Sequence, residues 1–411
     1  MAGQLLATDL VCCDQAILRP WCYIWPMPAA PSPKFVPKKI AFASVLKPVQ
    51  DTRMWQKMGR SALASGRYEV LVVGAGAAPA SGPKGASFYP IFGGSRLGIW
   101  RYFVSLKYAQ FLWSHRPDIQ VVCSPELLFV ACLYRGLFRS SRLVYDVREN
   151  YIANIWFTDG YNVLIRPILA AYISVLERLA TLVADQIWVA EACYQEERPS
   201  YFGKSILLPN LYDHGLGFRT EPPENQDPDK PLQLLISGTL GRHYGTLEAI
   251  TWAKKLAAIR TIKLTISGYA ADLEYSKLVM EACQGIDWII TEGITSMVPY
   301  SRIIELTKET DFLLLPYLPN RSTQNRIPTK LYEGLAWFVP MLVSYNGVWA
   351  ALIKNHDAGL VLDFNQTPTP DLVNQLDTHP FYRRGLDINL DPIFWQSIEP
   401  KFLDSLDALI P

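Results

Sequence analysis

Short apolar runs alternate with longer segments of helical periodicity through most of the chain. After Pro37, Lys39–Ser44 reads as a strand, Trp55–Ser65 as a helix and Tyr68–Gly74 as a second strand. Trp100–Ser114 and Leu127–Phe138 have helical spacing, with strands at Ile119–Cys123 and Arg142–Tyr145. A long helix over Val163–Ala184 precedes strands at Gln186–Ala190 and Ser205–Leu208. Strand and helix alternating in this order predict a parallel, doubly wound sheet. The polar, proline-rich run Glu221–Pro231 has no periodicity and reads as a linker. Beyond it the alternation restarts, with strands at Leu232–Ser237, Lys263–Ser267, Trp288–Thr291 and Asp311–Pro316 and helices between them. The fold class expected is therefore α/β, with two Rossmann-like parallel-sheet domains facing a cleft. The expected divisions are a poorly ordered extension over 1–37, domains over 38–220 and 232–390 joined by a linker over 221–231, and a C-terminal helix over 391–411.

The most informative stretch is Arg326-Ile-Pro-Thr-Lys-Leu-Tyr-Glu-Gly-Leu-Ala-Trp-Phe-Val-Pro-Met-Leu-Val-Ser344. Pro328 suits a helix start, where its missing N–H would have no partner anyway. Lys330 and Glu333 share one helical face, and Leu331 with Leu335 form a different, core-facing stripe. Pro340 stops the helix, and Met-Leu-Val-Ser continues as a strand. The pattern predicts a helix N-terminus with a cation and a carboxylate beside a sheet. Free amides and Lys330 suit phosphate, while Glu333 can accept from a pair of sugar hydroxyls. A nucleotide-sugar carries both groups.

This stretch resembles the donor-binding motif of the GT-B glycosyltransferases of the family-4 (group 1) type, which includes sucrose synthases and many bacterial polysaccharide enzymes. The usual motif has two glutamates separated by seven residues. Glu333 falls at the second, where the resemblance implies a contact with ribose. The first, which contacts the donor sugar, is Asn325 here. Gly238-Thr-Leu-Gly-Arg-His-Tyr-Gly245 is similar to the family's phosphate loop, with Tyr244 in place of its lysine and Arg242 as the nearby cation. The resemblance implies a donor-binding set of Gly238, Arg242, Gly268, Asn325, Lys330, Leu331 and Glu333. Val144-Tyr-Asp-Val-Arg-Glu-Asn-Tyr151 resembles a first-domain pattern of related polysaccharide enzymes, with Arg148 at its histidine position.

Asp146 and Glu149 are accordingly expected at the cleft for acceptor binding or proton removal, with a helix cap as the alternative for Asp146. Asp51 and Arg53, in the loop after the first strand, are candidates for holding acceptor polar groups, or else form a local ion pair or cap. The activity implied is sugar transfer from a nucleoside-diphosphate sugar to a saccharide or lipid-linked acceptor, in cell-surface polysaccharide synthesis. The donor is a substrate, and no cofactor is implied. A nucleotide-sugar 2-epimerase of the same fold and a non-catalytic nucleotide-sugar-binding paralogue are the rival readings.

Composition narrows these options. A net charge of +1 lacks the basic excess of a nucleic-acid binder. The five histidines have no ligand spacing, and Asp227-Pro-Asp229 lies in the linker, so metal-independent chemistry is expected. No Cys-x-x-Cys occurs, and the cysteines sit in apolar segments, which fits a reducing cytoplasm. No segment is apolar enough to span a bilayer. Trp100–Trp113 mixes aromatics with Arg101 and Lys107, and reads either as an ordinary core helix or as a peripheral contact at the inner face of the plasma membrane.

Overall fold

The computed structural model describes residues 36–410, apart from 93–99, 158–161, 202, 224–226, 321–322 and 383–388. Most of the expected extension and the middle of the expected linker thus lie outside the described residues.

The first half contains strands β1 (Lys38–Pro48), β2 (Tyr68–Ala75), β3 (Ala86–Phe92), β4 (Ile119–Val122), β5 (Arg142–Val147), β6 (Gln186–Val189) and β7 (Ser205–Leu207). The second contains β8 (Leu232–Leu240), β9 (Ile262–Ala270), β10 (Ile289–Ile294), β11 (Phe312–Leu315), β12 (Met341–Ser344) and β13 (Gly359–Leu362). They form two parallel sheets, in the orders β3-β2-β1-β4-β5-β6-β7 and β10-β9-β8-β11-β12-β13. The strand–helix alternation demands this arrangement, because consecutive parallel strands need a crossover and the helices bury both sheet faces. The interior strands β1 and β8 contain the continuous apolar runs Ile40–Ala43 and Leu234–Ile236, and these runs are buried.

Two edge strands, β3 and β13, are absent from the sequence reading. Their residues are mostly half-buried; β3 is interrupted by Pro90, and β13 is only four residues long and opens on a glycine. The loop expected over 47–53 also differs: β1 runs on to Pro48, and Thr52–Gly59 forms a π-helix. Such helices are rare and have no periodicity of their own to read from sequence.

The chain leaves the first sheet after β7 and returns at its C-terminal end. Tyr212 bridges to Phe394, and the Trp395 amide donates to the Tyr212 carbonyl at 2.7 Å. The helix Glu399–Asp407 then packs on the first sheet. Its Phe402 and Leu406 share a core with Phe42, Val70, Val121 and Trp188. At the crossing, Lys57 donates to Asn210 Oδ1 at 2.6 Å and to the Leu211 carbonyl at 2.7 Å.

Candidate functional site

The carboxyl ends of parallel strands leave unpaired amides, and doubly wound sheets bind ligands there. On the second sheet this edge is made of glycine. Gly238, Gly268 and Gly293 lie in register across β8, β9 and β10. Gly238 has φ +86°, and a Cβ at that position would collide with the Lys330 ammonium. A side chain at Gly268 would strike the Gly238 carbonyl. The edge is consequently bare backbone with the Lys330 ammonium against it.

Lys330 reaches this edge from the helix Thr329–Trp337, which starts after Pro328 and ends where Phe338 turns left-handed at φ 51°. Leu331 and Leu335 anchor the helix by complete burial. Leu331 is thus a core residue that fixes the helix rather than a surface contact. Burial pulls the Lys330 ammonium below the ordinary lysine range, against the opposing charge of Glu333. An anion beside Lys330 would relieve this desolvation. Glu333 is 4% exposed, and its Oε1 accepts from the Tyr300 hydroxyl at 2.9 Å. Burial and the adjacent Glu333 push the Tyr300 phenol well above its usual range, so it stays a donor. Tyr300 is absent from the sequence reading, since nothing in its local pattern ties it to a residue 33 positions away.

Asn325 is exposed in the loop before this helix. Arg242 lies in the short helix Arg242–Tyr244 with its guanidinium over the Tyr275 ring at 5.5 Å. It also lies 4.0 Å from Asp272 and 3.7 Å from Glu274. Its charge is therefore shared with two carboxylates, and its side chain is half-exposed.

The carboxylates expected in the first half have a different arrangement. Asp146 ends β5 but faces inward with no exposure, bound bidentately by Arg53, which is equally buried. Arg53 Nη1 also donates to the Leu208 carbonyl at 2.9 Å. Neither residue can meet an acceptor there, and the expectation of Asp146 as a base and Arg53 as an acceptor contact is corrected accordingly. The reason is distance in sequence: two residues 93 apart pair only once the π-helix packs beneath β5. Asp51 caps that helix through the Arg53 and Met54 amides and pairs with Arg148 at 2.9 Å. Burial alone would raise its carboxyl, but Arg148, Lys47 and the Met54 amide outweigh it and hold the group at about 2. Asp51 is thereby committed to a cap and an ion pair rather than to an acceptor.

Glu149 remains partly exposed. It pairs with Lys47 at 3.3 Å and accepts from Asn154 at 2.9 Å, and Lys47 is the main cause of its lowered carboxyl range. Sequence reading also misses Glu191, which follows β6. Its Oε2 accepts the Ile327 amide at 3.4 Å, across from one sheet to the other. Among the described residues, no group of three or more His, Cys, Asp or Glu could hold a metal ion.

No protein-family profile matches the chain, and no curated protein matches it by sequence. Solved structures do match it in shape. Sucrose-phosphate synthase from Thermosynechococcus elongatus is 14% identical, with a TM-score of 0.66 over 90% of this chain and 99% of its own. The catalytic domain of starch synthase IV from Arabidopsis thaliana, bound to ADP and acarbose, is 9% identical, with a TM-score of 0.62 over 90% and 99%. Anabaena HepE in complex with UDP and glucose is 12% identical, with a TM-score of 0.60 over 90% and all of its own chain. At these identities the likeness is one of fold, and the chain has the GT-B glycosyltransferase fold.

Proposed function

We propose that this protein is a glycosyltransferase that moves a sugar from a nucleoside-diphosphate sugar to a saccharide or lipid-linked acceptor. One observation carries the reading. The Lys330 ammonium lies over the bare Gly238 backbone, with Glu333 one turn further along the same helix. A diphosphate suits the first feature and a ribose diol the second. HepE, a neighbour in fold, was solved with UDP-glucose, which has both groups. Residues 232–390 would hold the donor and residues 38–220 the acceptor, with 221–231 as linker and the helix Glu399–Asp407 returning to the first sheet. Lys330 and the strand-end amides would meet the phosphate charge without a metal, while Arg242 would add a cation once drawn from Asp272 and Glu274.

The lipid-linked alternative for the acceptor has its own support. Leu164, Ile168, Val175 and Leu182 are exposed on and just before the helix Arg166–Val183, and Leu133 and Leu137 on a helix packed against it. Exposed apolar surface of this extent marks an interaction face. With Lys107 and Arg178 also exposed, it suits the inner face of the plasma membrane. No helix among the described residues is long and apolar enough to cross a membrane, so such contact would be peripheral.

Thermal unfolding with a panel of UDP-, GDP- and ADP-sugars tests the donor reading. One donor should stabilise the protein by about 2.7 kcal/mol at a hundredfold excess over its Kd. Glu333→Ala should abolish that shift. A panel without effect, or an unchanged shift in the variant, would remove the basis of the assignment.

A further inference from the structure

Three of the carboxylates in the first half are each tied to a cation: Asp146 to Arg53, Asp51 to Arg148 and Glu149 to Lys47. The Asp146–Arg53 pair is fully buried.

Glu191 differs. No ion pair holds it among the described residues, where its carboxylate accepts the Ile327 amide. That bond fixes the carboxyl group without neutralising it. It also aims the group at the loop leading into the helix of Lys330 and Glu333, two residues further on. Arg326 and Tyr332 face it from the second half, Arg53 from the π-helix, and Cys193 and Tyr194 from its own turn. Arg326 stacks over the Tyr194 ring at 5.2 Å, and its buried Nε and Nη2 have no hydrogen-bond partner. Two buried guanidinium nitrogens without a partner, near a carboxyl group free of ion pairs, leave hydrogen-bonding capacity for a further polar group. Burial of Glu191 outweighs the Ile327 amide, Arg326 and Arg53, and raises its carboxyl to about 7. A base of that strength is matched to proton transfer near neutral pH.

We infer that Glu191 is the proton acceptor of the transfer. Its carboxylate takes the proton of the acceptor hydroxyl while that oxygen bonds to the anomeric carbon. The anomeric bond to the diphosphate breaks, and its electron pair leaves on the diphosphate oxygen. The step rests on the donor reading above, because it needs the anomeric carbon between the Lys330 edge and β6.

The experiment compares wild type, Glu191→Gln and Glu191→Asp. Two readouts are used: donor-induced thermal shift, and nucleoside diphosphate release from UDP-glucose, GDP-mannose or ADP-glucose with water as acceptor, from pH 5 to 9. Glu191→Gln should keep the donor shift yet lose about 100-fold or more in kcat. Its turnover should also lose the acid limb that wild type has near neutral pH. Glu191→Asp should recover part of the rate with that limb restored, which a merely structural role would not produce. Wild-type turnover and an intact acid limb in Glu191→Gln would overturn the inference and leave donor binding standing. A wild type stabilised by no donor would overturn the donor reading, and this inference with it.

Discussion

Replacing Asp146 by alanine separates a structural role from a chemical one. The substitution strands the Arg53 guanidinium in a site with no solvent exposure, with only the Leu208 carbonyl left among its side-chain partners. Losing one partner of a buried ion pair costs about 3–5 kcal/mol. For a folding unit of about 150–250 residues each kcal/mol moves Tm by about 2–4 °C, so a loss of about 6–20 °C is expected. The double variant Arg53→Met/Asp146→Leu removes both charges and should recover most of that loss, since an apolar replacement of such a pair is often close to neutral. Differential scanning fluorimetry of the single and double variants, with nucleoside diphosphate release measured well below each Tm, gives both readouts. Asp146→Ala should be thermally weakened, and the folded double variant should still turn over donor. A variant with wild-type Tm and no turnover would refute the structural role and return Asp146 to the chemistry.

The remaining expectations concern the donor edge and the buried charges. Gly238→Ala forces a Cβ against the Lys330 ammonium at φ +86°, and calorimetry should record about a tenfold or greater loss of donor affinity. Tyr300→Phe removes one hydrogen bond to Glu333 and should weaken donor binding by about 0.5–1.5 kcal/mol, short of the loss in Glu333→Ala. The folded-state carboxyl of Asp51 lies at about 2, below its ordinary 3.8, so its contribution is present above pH 4 and lost as pH falls through 2. Wild type should therefore exceed Asp51→Asn by about 2 kcal/mol at pH 6 in urea unfolding, and the gap should close toward pH 2. Ile168→Asp/Val175→Asp should abolish sedimentation with anionic vesicles while leaving release from soluble donor intact.

Much of the fold was legible because parallel sheets write themselves as dense apolar runs between helical segments. Ile40–Ala43 and Leu234–Ile236 could hardly be anything but interior strands. The edge strands β3, interrupted by Pro90, and β13, four residues opening on a glycine, are harder to tell from loops. Lys330 and Glu333 were legible for a related reason. Their neighbourhood is set by helical spacing over four residues, which is local information. Partners chosen by tertiary packing were not: Arg53 finds Asp146, Arg242 finds Asp272 and Glu274, and Tyr300 finds Glu333. Arg53 and Arg242 looked available for a ligand until their counter-groups arrived from other segments, and Tyr300 had no local sign of its partner. Glu191 is the reverse case. It belongs to no motif, and its interest arises only where the end of β6 meets the Ile327 amide.

On the function proposed, the Gly238–Lys330 edge and Glu333 hold a nucleoside-diphosphate sugar. A crystal structure of the protein soaked with the donor that stabilises it tests this most directly. The diphosphate is expected against the Gly238 backbone and Lys330 Nζ, with the ribose hydroxyls on Glu333. A donor bound elsewhere, or bound with its ribose away from Glu333, would contradict it.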